Sequence, residues 1–245
     1  MRNKVAVITG SSRGIGRATA LMFADEGAKV VVNYRNNEQS ATEVVDIIRG
    51  NGGLAISVRA DVSNPNDIKM LFTKTMDTFG TVDILVNNAG ICPPKPFLEL
   101  TADDINAVFS VNVVGVVLCA QEAAKIMISR ETGRIINIAS ISGIRNFGTA
   151  GNMPYAMSKA AVVNATGMLA KALGPNVLVN CIAPGFVDTE MPTSPEYVER
   201  VITDSALKRM LRPEEIAHAC LFLASGDSSG ITGEVIHVDA GFQLK

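Results

Sequence analysis

A tyrosine and a lysine, Tyr155 and Lys159, stand four residues apart in this sequence. On a helix they would share one face, one turn apart. A phenol has an ordinary pKa of about 10, and a neighbouring cation favours its ionised form. Such a tyrosine can exchange a proton close to neutral pH, as a general acid or base does. A solvated helix face would show the same spacing, so other residues must decide between the two interpretations.

A glycine-rich turn follows the first apolar run of the chain, which spans residues 4–9 and predicts a buried strand. A helical pattern begins directly after the turn. Bare backbone at this point would let a pyrophosphate approach the free N–H groups of the helix N-terminus. A tight turn alone would also favour glycine, but its place between a first strand and a first helix predicts dinucleotide binding. The residues of this predicted site are Gly10, Ser11, Ser12, Arg13, Gly14, Ile15 and Gly16.

The end of the second predicted strand bears on the choice of dinucleotide. Proteins that bind NAD usually carry an acid there for the ribose hydroxyls. This strand ends in Asn33, Tyr34 and Arg35, without an acid. Arg35 and Arg13 could instead hold a 2′-phosphate, although both could simply face solvent. The sequence therefore favours NADP(H), and NAD(H) remains the alternative.

Composition limits the class of protein. The chain has 245 residues, 47% of them apolar, and a net charge of −2, which indicates one globular domain without a basic footprint for nucleic acid. The longest apolar run, residues 113–120, is far shorter than the ~18 residues of a membrane span, and no signal-peptide core is present. We therefore expect a cytoplasmic protein without a membrane partner.

Cysteine and histidine spacings do not predict a metal site. His218 and His237 have no partners at ligand spacing, and we expect both to be structural. The four cysteines have no paired spacing, which is typical of reduced, buried thiols. Only Cys92, beside two prolines, is a candidate for a reactive thiol. The cysteines are Cys92, Cys119, Cys181 and Cys220.

Strand and helix patterns alternate along the whole chain, which predicts right-handed βαβ units and a parallel sheet. We therefore predict the α/β class, with a single doubly wound domain of about seven strands and helices on both faces. Strands are predicted at 4–9, 29–33, 55–59, 83–86, 134–138, 177–182 and 234–238. Helices are predicted after the glycine turn, at 39–49, 64–79, 103–128 and 155–173, and from residue 213.

Four motifs occur in a familiar order: the glycine turn, Asn87-Asn88-Ala89-Gly90, the Tyr155–Lys159 pair, and Pro184-Gly185 followed by Thr189. Together they resemble the short-chain dehydrogenase/reductase family, over residues 5–241. The two arginines, the strand end without an acid and the closing 231–234 segment are similar to the branch that contains 3-oxoacyl-acyl-carrier-protein reductases. The resemblance implies one NAD(P)-binding Rossmann domain over residues 1–245.

The resemblance also implies a catalytic set of four residues. Tyr155 would give its proton to a carbonyl oxygen as hydride arrives at the carbon. Lys159 would lower the pKa of Tyr155 and bind the nicotinamide ribose. Asn112 would interrupt the long helix locally and hold a water, and Ser140 would orient the carbonyl. Ser142 competes with Ser140 for that last role.

Further cofactor contacts are implied at the ends of strands. The resemblance assigns Asp61 and Val62 to the adenine, and Val187 and Thr189 to the carboxamide. Asp61 closes the third predicted strand and Asn88 follows the fourth, where open α/β sheets bind ligands. A helix cap and a turn residue are the structural alternatives for these two. The implied contacts outside the glycine turn are Tyr34, Arg35, Asp61, Val62, Asn88, Ala89, Gly90, Tyr155, Lys159, Pro184, Gly185, Val187 and Thr189.

The family pattern implies NADPH-dependent reduction of a carbonyl to a secondary alcohol, with a 3-oxoacyl thioester as the candidate substrate. Arg130 could dock an acidic acyl carrier protein, but the second basic position of that branch falls at 174–176, where no cation stands. The alternatives are an NAD(P)-dependent dehydrogenase of a sugar, polyol or other secondary alcohol, and a dinucleotide sensor or scaffold without chemistry.

Two further features are implied for the assembly and for substrate entry. The irregular stretch 188–212 resembles the family's substrate lid, in which Met191, Tyr197 and Val198 would admit an apolar group. A generic surface loop would look similar. The family also implies a homotetramer packed through helices 103–128 and 155–173.

Overall fold

The computed structural model describes residues 1–144, 150–189 and 195–244. At its centre is a seven-stranded parallel sheet in the order β3-β2-β1-β4-β5-β6-β7. The chain first adds β2 and β3 on one side of β1 and then returns to add β4 to β7 on the other side, so the strand order reverses between the neighbours β1 and β4. Such a switch point opens a crevice at the carboxyl ends of the strands. The strands are β1 Val5–Ile8, β2 Lys29–Tyr34, β3 Leu54–Arg59, β4 Ile84–Asn87, β5 Gly133–Ile138, β6 Val177–Pro184 and β7 Val235–Val238.

Helices cover both faces of the sheet, because every inner strand is apolar on both sides. One face packs on α1, α2 and α8, through Phe23, Ile48 and Cys220. The other face packs on α3, α5 and α6, through Leu71, Ala123 and Ala170. The helices are α1 Gly14–Asp25, α2 Glu38–Gly50, α3 Pro65–Phe79, α4 Ala102–Phe109, α5 Gly115–Ser129, α6 Met153–Leu173, α7 Pro195–Asp204 and α8 Pro213–Ala224.

The predicted fold is confirmed, and each predicted strand is present within two residues of its expected ends. One helix is interrupted at Asn112, as the resemblance implies, and one helix was not predicted. The long helix 103–128 is two helices, joined by a π-helical turn at Ser110–Val114. The irregular stretch 188–212 contains α7, which the many Pro, Ser and Thr residues around it concealed. Met191 and the side chain of Tyr197 lie outside the described residues.

The region from Ala102 to Ser129 has the length and apolar composition that a membrane span requires. Half of its most apolar window, however, is buried inside the protein. Cys119, Ala120 and Met127 are fully buried against the sheet, as in the core helix of a globular domain.

Candidate active site

The glycine turn has the backbone geometry that its sequence predicts. Gly10 and Gly14 have φ angles of +61° and +53°, which side chains other than that of glycine rarely allow. A Cβ atom on Gly16 would lie 2.5 Å from Asn88 Nδ2 and 2.6 Å from the Gly10 carbonyl oxygen. Asn88 Nδ2 donates to that same carbonyl at 3.0 Å. Glycine is thus required where the first helix begins, against the end of β4.

Asn33 fastens the glycine turn to the neighbouring strands, and sequence reasoning missed this role. Its Oδ1 accepts from Gly10 N–H at 3.0 Å, and its Nδ2 donates to the Ala60 carbonyl at 3.0 Å. Its own N–H donates to Ser11 Oγ at 3.1 Å. Since Asn33 is buried, these bonds connect the ends of β1, β2 and β3 without competition from water. A polar residue at the end of an otherwise apolar strand was the available signal.

The N-terminus of α1 offers backbone N–H groups that no side chain caps. Arg13 is the N-cap residue and makes no side-chain capping bond. The N-caps of α2 and α3, by contrast, accept from their own helices through Asn37 and Asn64. Uncapped N–H groups beside bare glycine form a cradle that fits a pyrophosphate. A Cβ atom on Gly14 would lie 3.5 Å from Thr189 Cγ2, so Thr189 borders this cradle.

Charged side chains meet where β2 and β3 end. The Arg35 guanidinium is exposed and lies 3.7 Å from an oxygen of Asp61. Burial acts to raise the pKa of Asp61, but hydrogen bonds from Ser63 and the charge of Arg35 hold it below its ordinary value. The side chain of Tyr34 instead packs in the core, and its hydroxyl bonds Glu38. Arg35 and Asp61 thus flank this end of the crevice, and the Tyr34 hydroxyl lies near Glu38 and Arg59.

Further predicted cofactor residues, on both sides of the switch point, also lie at the carboxyl edge. Val62 is buried beneath α5, since a Cβ atom on Gly115 would lie 2.6 Å from its carbonyl oxygen. Gly185 N–H donates to the Val238 carbonyl at 2.8 Å, directly after β6. Val187 then pairs with Leu211, closing the base of the 188–212 segment. The segment that begins at Pro184 thus runs from β6 towards the glycine turn.

Tyr155 and Lys159 lie in the first two turns of α6, beside the end of β5. Ser140, which is buried just after β5, hydrogen-bonds the Tyr155 hydroxyl. Ser142 donates its backbone N–H to Ser140 Oγ at 3.1 Å, so it supports the hydroxyl that bonds Tyr155. Lys159 Nζ lies 5.6 Å from the centre of the Tyr155 ring and donates to the Ile138 carbonyl at 2.7 Å. The phenol, the hydroxyl and the ammonium therefore form one group.

The pKa values in this group differ from the sequence-based expectation. Burial raises the pKa of Tyr155 to about 12, although the bond from Ser140 acts in the opposite direction. Burial lowers the pKa of Lys159 to about 8. The lowered pKa of Tyr155 that the resemblance implies is not found, because removal from water is the largest effect on the phenol. Tyr155 therefore holds its proton at neutral pH.

Asn112 lies in the π-helical turn and is fully buried. Its Oδ1 accepts from Ile91 N–H at 2.9 Å, and its Nδ2 donates to the Ile91 carbonyl at 3.0 Å. The same Nδ2 donates to Ser158 Oγ at 3.0 Å. A Cβ atom on Gly90 would lie 3.4 Å from Asn112 Oδ1 and 3.5 Å from Lys159 Nζ. The turn, a type frequent at functional sites, thus aims Asn112 at the junction of β4 and α6.

The loop that follows Gly90 forms a wall of the site. Cys92 is half-buried and close enough to influence the pKa values of Tyr155 and Lys159. Burial raises the pKa of the Cys92 thiol, against a smaller effect of Lys159, and this disfavours a reactive thiolate. Further along, Lys95 donates its N–H to the Gly151 carbonyl at 2.9 Å. The loop is thereby connected to the segment that leads into α6.

Comparison with known proteins identifies the family. A family model described as enoyl-(acyl carrier protein) reductase matches residues 10–243. The 3-oxoacyl-[acyl-carrier-protein] reductase of Synechocystis sp. is 42% identical over 243 residues, covering 98% of this chain and 97% of that protein. The chain belongs to the short-chain dehydrogenase/reductase family. It is therefore an oxidoreductase, and the resemblance seen in the sequence is confirmed.

Two further relatives of this short-chain dehydrogenase/reductase agree over almost the full length. The 3-oxoacyl-[acyl-carrier-protein] reductase of Aquifex aeolicus is 38% identical, covering 98% of each chain. A short-chain dehydrogenase from Burkholderia cenocepacia, solved in complex with NADP, is 34% identical with a TM-score of 0.93. It covers 99% of this chain and 98% of its own.

Proposed function

We propose that this short-chain dehydrogenase/reductase reduces a carbonyl to a secondary alcohol with NADPH, and that the substrate is a 3-oxoacyl thioester of an acyl carrier protein. The observation that carries the proposal is the buried group of Tyr155, Ser140 and Lys159 beside Gly90, at the edge where the uncapped helix α1 begins. A protonated phenol next to a dinucleotide cradle suits reduction of a carbonyl.

The dinucleotide would bind along the carboxyl edge, with its pyrophosphate at the glycine turn and its adenine near Asp61 and Val62. When bound, NADPH supplies the hydride for the carbonyl carbon. Asn88, Ala89 and Gly90 would lie along the adenosine ribose. Val187 and Thr189 would bind the carboxamide, with Pro184 and Gly185 directing the chain towards it.

The protein's own residues would handle the proton. Tyr155 has a pKa of about 12, so it enters the reaction protonated and can donate to the carbonyl oxygen. The phenolate that remains would be stabilised by Ser140 and by the charge of Lys159. Ser140 would also bind the carbonyl oxygen and orient it. Asn112 holds the backbone of Ile91, and the water that resemblance assigns to it would return a proton through Lys159.

The preference for NADPH is supported by the arginine at the end of β2. Arg35 is exposed there, and no carboxylate follows β2 at the position that favours NAD. The related short-chain dehydrogenase in complex with NADP is consistent with this preference. NAD(H) is the alternative cofactor, and kinetics with both cofactors separates the two.

The carrier-linked substrate is supported by the names of the relatives and by Arg130, which is exposed at the C-terminus of α5. The lack of a cation at 174–176 instead favours the second candidate, a dehydrogenase of a sugar, polyol or other secondary alcohol. The stretch 188–212 would act as the substrate lid in either case, and the protein would be cytoplasmic.

A homotetramer is proposed on the same grounds. Helices α5 and α6 expose apolar side chains at Val117, Met157 and Met168, which a second copy would cover. Sedimentation velocity at micromolar concentration should give one species of about four times the 25.9 kDa chain mass. A monomer at every concentration would contradict the tetramer without touching the proposed reaction.

The reaction is tested by initial rates with acetoacetyl thioesters of coenzyme A and of acyl carrier protein, together with a panel of sugars, polyols and simple ketones. Each substrate is assayed with NADPH and with NADH. The proposal expects the highest kcat/KM for the carrier-linked thioester with NADPH. Faster turnover of a sugar or polyol would favour the second candidate, and a lower KM for NADH would overturn the cofactor preference.

A further inference from the structure

Arg59 lies at the same end of the crevice as Arg35. Neither the sequence motifs nor the family resemblance gave Arg59 a role. It is the last residue of β3 and pairs with Tyr34, the last residue of β2. The side chain of Arg59 is exposed. Because the carboxyl ends of parallel strands meet at one edge, Arg59 lies beside the residue that follows β2.

A hydrogen bond holds the Arg59 guanidinium in place. Its Nε donates to the Arg35 carbonyl at 3.3 Å. Among the described residues, no carboxylate lies within ion-pair distance of the Arg59 side chain. Glu38, the nearest acid of α2 to this end, bonds the Tyr34 hydroxyl instead. The terminal amino groups of Arg59 are therefore available to an acceptor from outside this part of the chain.

Four charged side chains lie at this edge: Arg35, Arg59, Asp61 and Glu38. Arg35 and Arg59 are joined through one carbonyl. Among the described residues, Asp61 forms the ion pair with Arg35, at 3.7 Å, and Arg59 forms none. Two like charges held together cost free energy unless an anion lies between them. A phosphate dianion accepts several hydrogen bonds and pairs well with planar guanidinium groups. The arrangement thus fits a phosphate better than a ribose hydroxyl.

We propose that Arg59 is a further specificity-determining residue, which binds the 2′-phosphate of NADPH together with Arg35. This inference rests on the proposed use of NADPH. In the complex, Nε of Arg59 keeps its bond to the Arg35 carbonyl, while the terminal amino groups donate to phosphate oxygens. NADH has no such oxygens, so Arg59 contributes nothing to its binding.

Arg49 provides a matched control. It is an exposed arginine whose Nε donates to a backbone carbonyl, that of Ala55, at 3.0 Å. It lies at the opposite end of β3, far from the crevice. If Arg59 acted only by holding a strand, R49M and R59M would have the same effect on cofactor binding. If Arg59 contacts the phosphate, only R59M changes the preference between the cofactors.

The experiment measures Kd for NADPH, NADH, adenosine 2′,5′-bisphosphate and ADP by fluorescence or calorimetric titration of the full-length protein and its variants R59M, R59K, R35M and R49M. We expect R59M to raise the Kd for NADPH and for the bisphosphate about fivefold to twentyfold, as loss of a partly exposed charged hydrogen bond does. The Kd for NADH and for ADP should stay within about twofold of the parent value. R59K, which keeps the charge, should retain most of the affinity. R49M should match the parent protein.

The outcomes separate this inference from the proposed function. Suppose that the parent protein binds NADPH more tightly than NADH, and that R35M removes this preference while R59M does not. Arg59 then has no contact with the phosphate, and the inference is wrong. Equal weakening of NADPH and NADH by R59M would also overturn it. If the parent protein binds NADH more tightly, the proposed cofactor is wrong, and the role of Arg59 falls with it.

Discussion

The two ends of the crevice are built in opposite ways. Around Tyr155, Ser140, Lys159 and Asn112, every functional group is buried or half-buried and has a partner inside the protein. At the ends of β2 and β3, the arginines are exposed, and the ion pair that the described residues form there, between Arg35 and Asp61, is long, at 3.7 Å. Burial strengthens electrostatic interactions and shifts pKa values, whereas exposed charges are screened by salt. In the proposed function, the reaction therefore takes place where water is excluded, and the cofactor is selected where charges are exposed to solvent.

The largest expected effect comes from removing the phenol. Tyr155→Phe deletes the proton donor and keeps the ring, so we expect kcat to fall by roughly 10²–10⁴-fold. The Kd for NADPH should change little, and so should the effect of salt on turnover. Stopped-flow oxidation of NADPH with acetoacetyl thioester measures kcat, and titration with NADPH measures Kd. A variant that retains near-normal kcat would remove Tyr155 from the mechanism.

The next effect concerns the free energy of unfolding and its pH dependence. The pKa of Lys159 is about 8 in the folded protein and near 10.5 when unfolded. Below pH 8 both states are protonated, and the buried charge destabilises the fold. As pH rises from 8 towards 10.5 the folded state loses its proton first, so the unfolded state binds more protons and stability rises.

Lys159→Met removes this contribution. Urea unfolding of both proteins between pH 7 and pH 10 should show the parent gaining stability relative to the variant, by up to about 3 kcal/mol. Differences between the two proteins cancel the titration of Cys119 and Cys220, on whose pKa values Lys159 has no effect. A difference that stays constant with pH would mean that Lys159 is hydrated and titrates normally.

A smaller loss is expected at the hydroxyl that bonds Tyr155. Ser140→Ala removes a hydrogen bond to a group that becomes charged, so kcat/KM should fall about tenfold to 100-fold. Ser142→Ala is the matched control, because its hydroxyl is not bonded to Tyr155 while its backbone N–H still supports Ser140. Equal losses in the two variants would mean that Ser142 shares the role.

The smallest effect belongs to the exposed end. Arg35→Ala should raise the Kd for NADPH about tenfold at low ionic strength and leave the Kd for NADH unchanged. Because the Debye length falls to about 3 Å at 1 M salt, the difference between parent and variant should shrink there. Titrations at 20 mM and at 1 M salt check this. A loss of NADPH affinity that does not depend on salt would mean that Arg35 behaves like the buried groups around Tyr155. The two ends of the crevice would then not differ in their response to salt.

The sequence allowed the sheet, its order of elements and the meeting of Tyr155 and Lys159 near Ser140 to be predicted, because strand periodicity and motif spacing report on them directly. Spacing could not give the pKa of Tyr155, which depends on how completely water is excluded. The same limit applies to Arg59 and Asn33, whose roles follow from register between strands distant in sequence. The helix α7 was missed because the proline-rich composition beside it resembles a loop.

The bonds around Ile91 have a consequence for changes in substrate range. Asn112 binds both the N–H and the carbonyl of Ile91, and four residues later Lys95 N–H binds Gly151, just before α6. The loop from Ile91 to Lys95 is therefore hydrogen-bonded at both ends to elements next to Tyr155, the proposed proton donor. Lengthening this loop would shift the reacting groups as well as the pocket. New substrates are more easily accommodated from the 188–212 side, whose base is closed by the pairing of Val187 with Leu211.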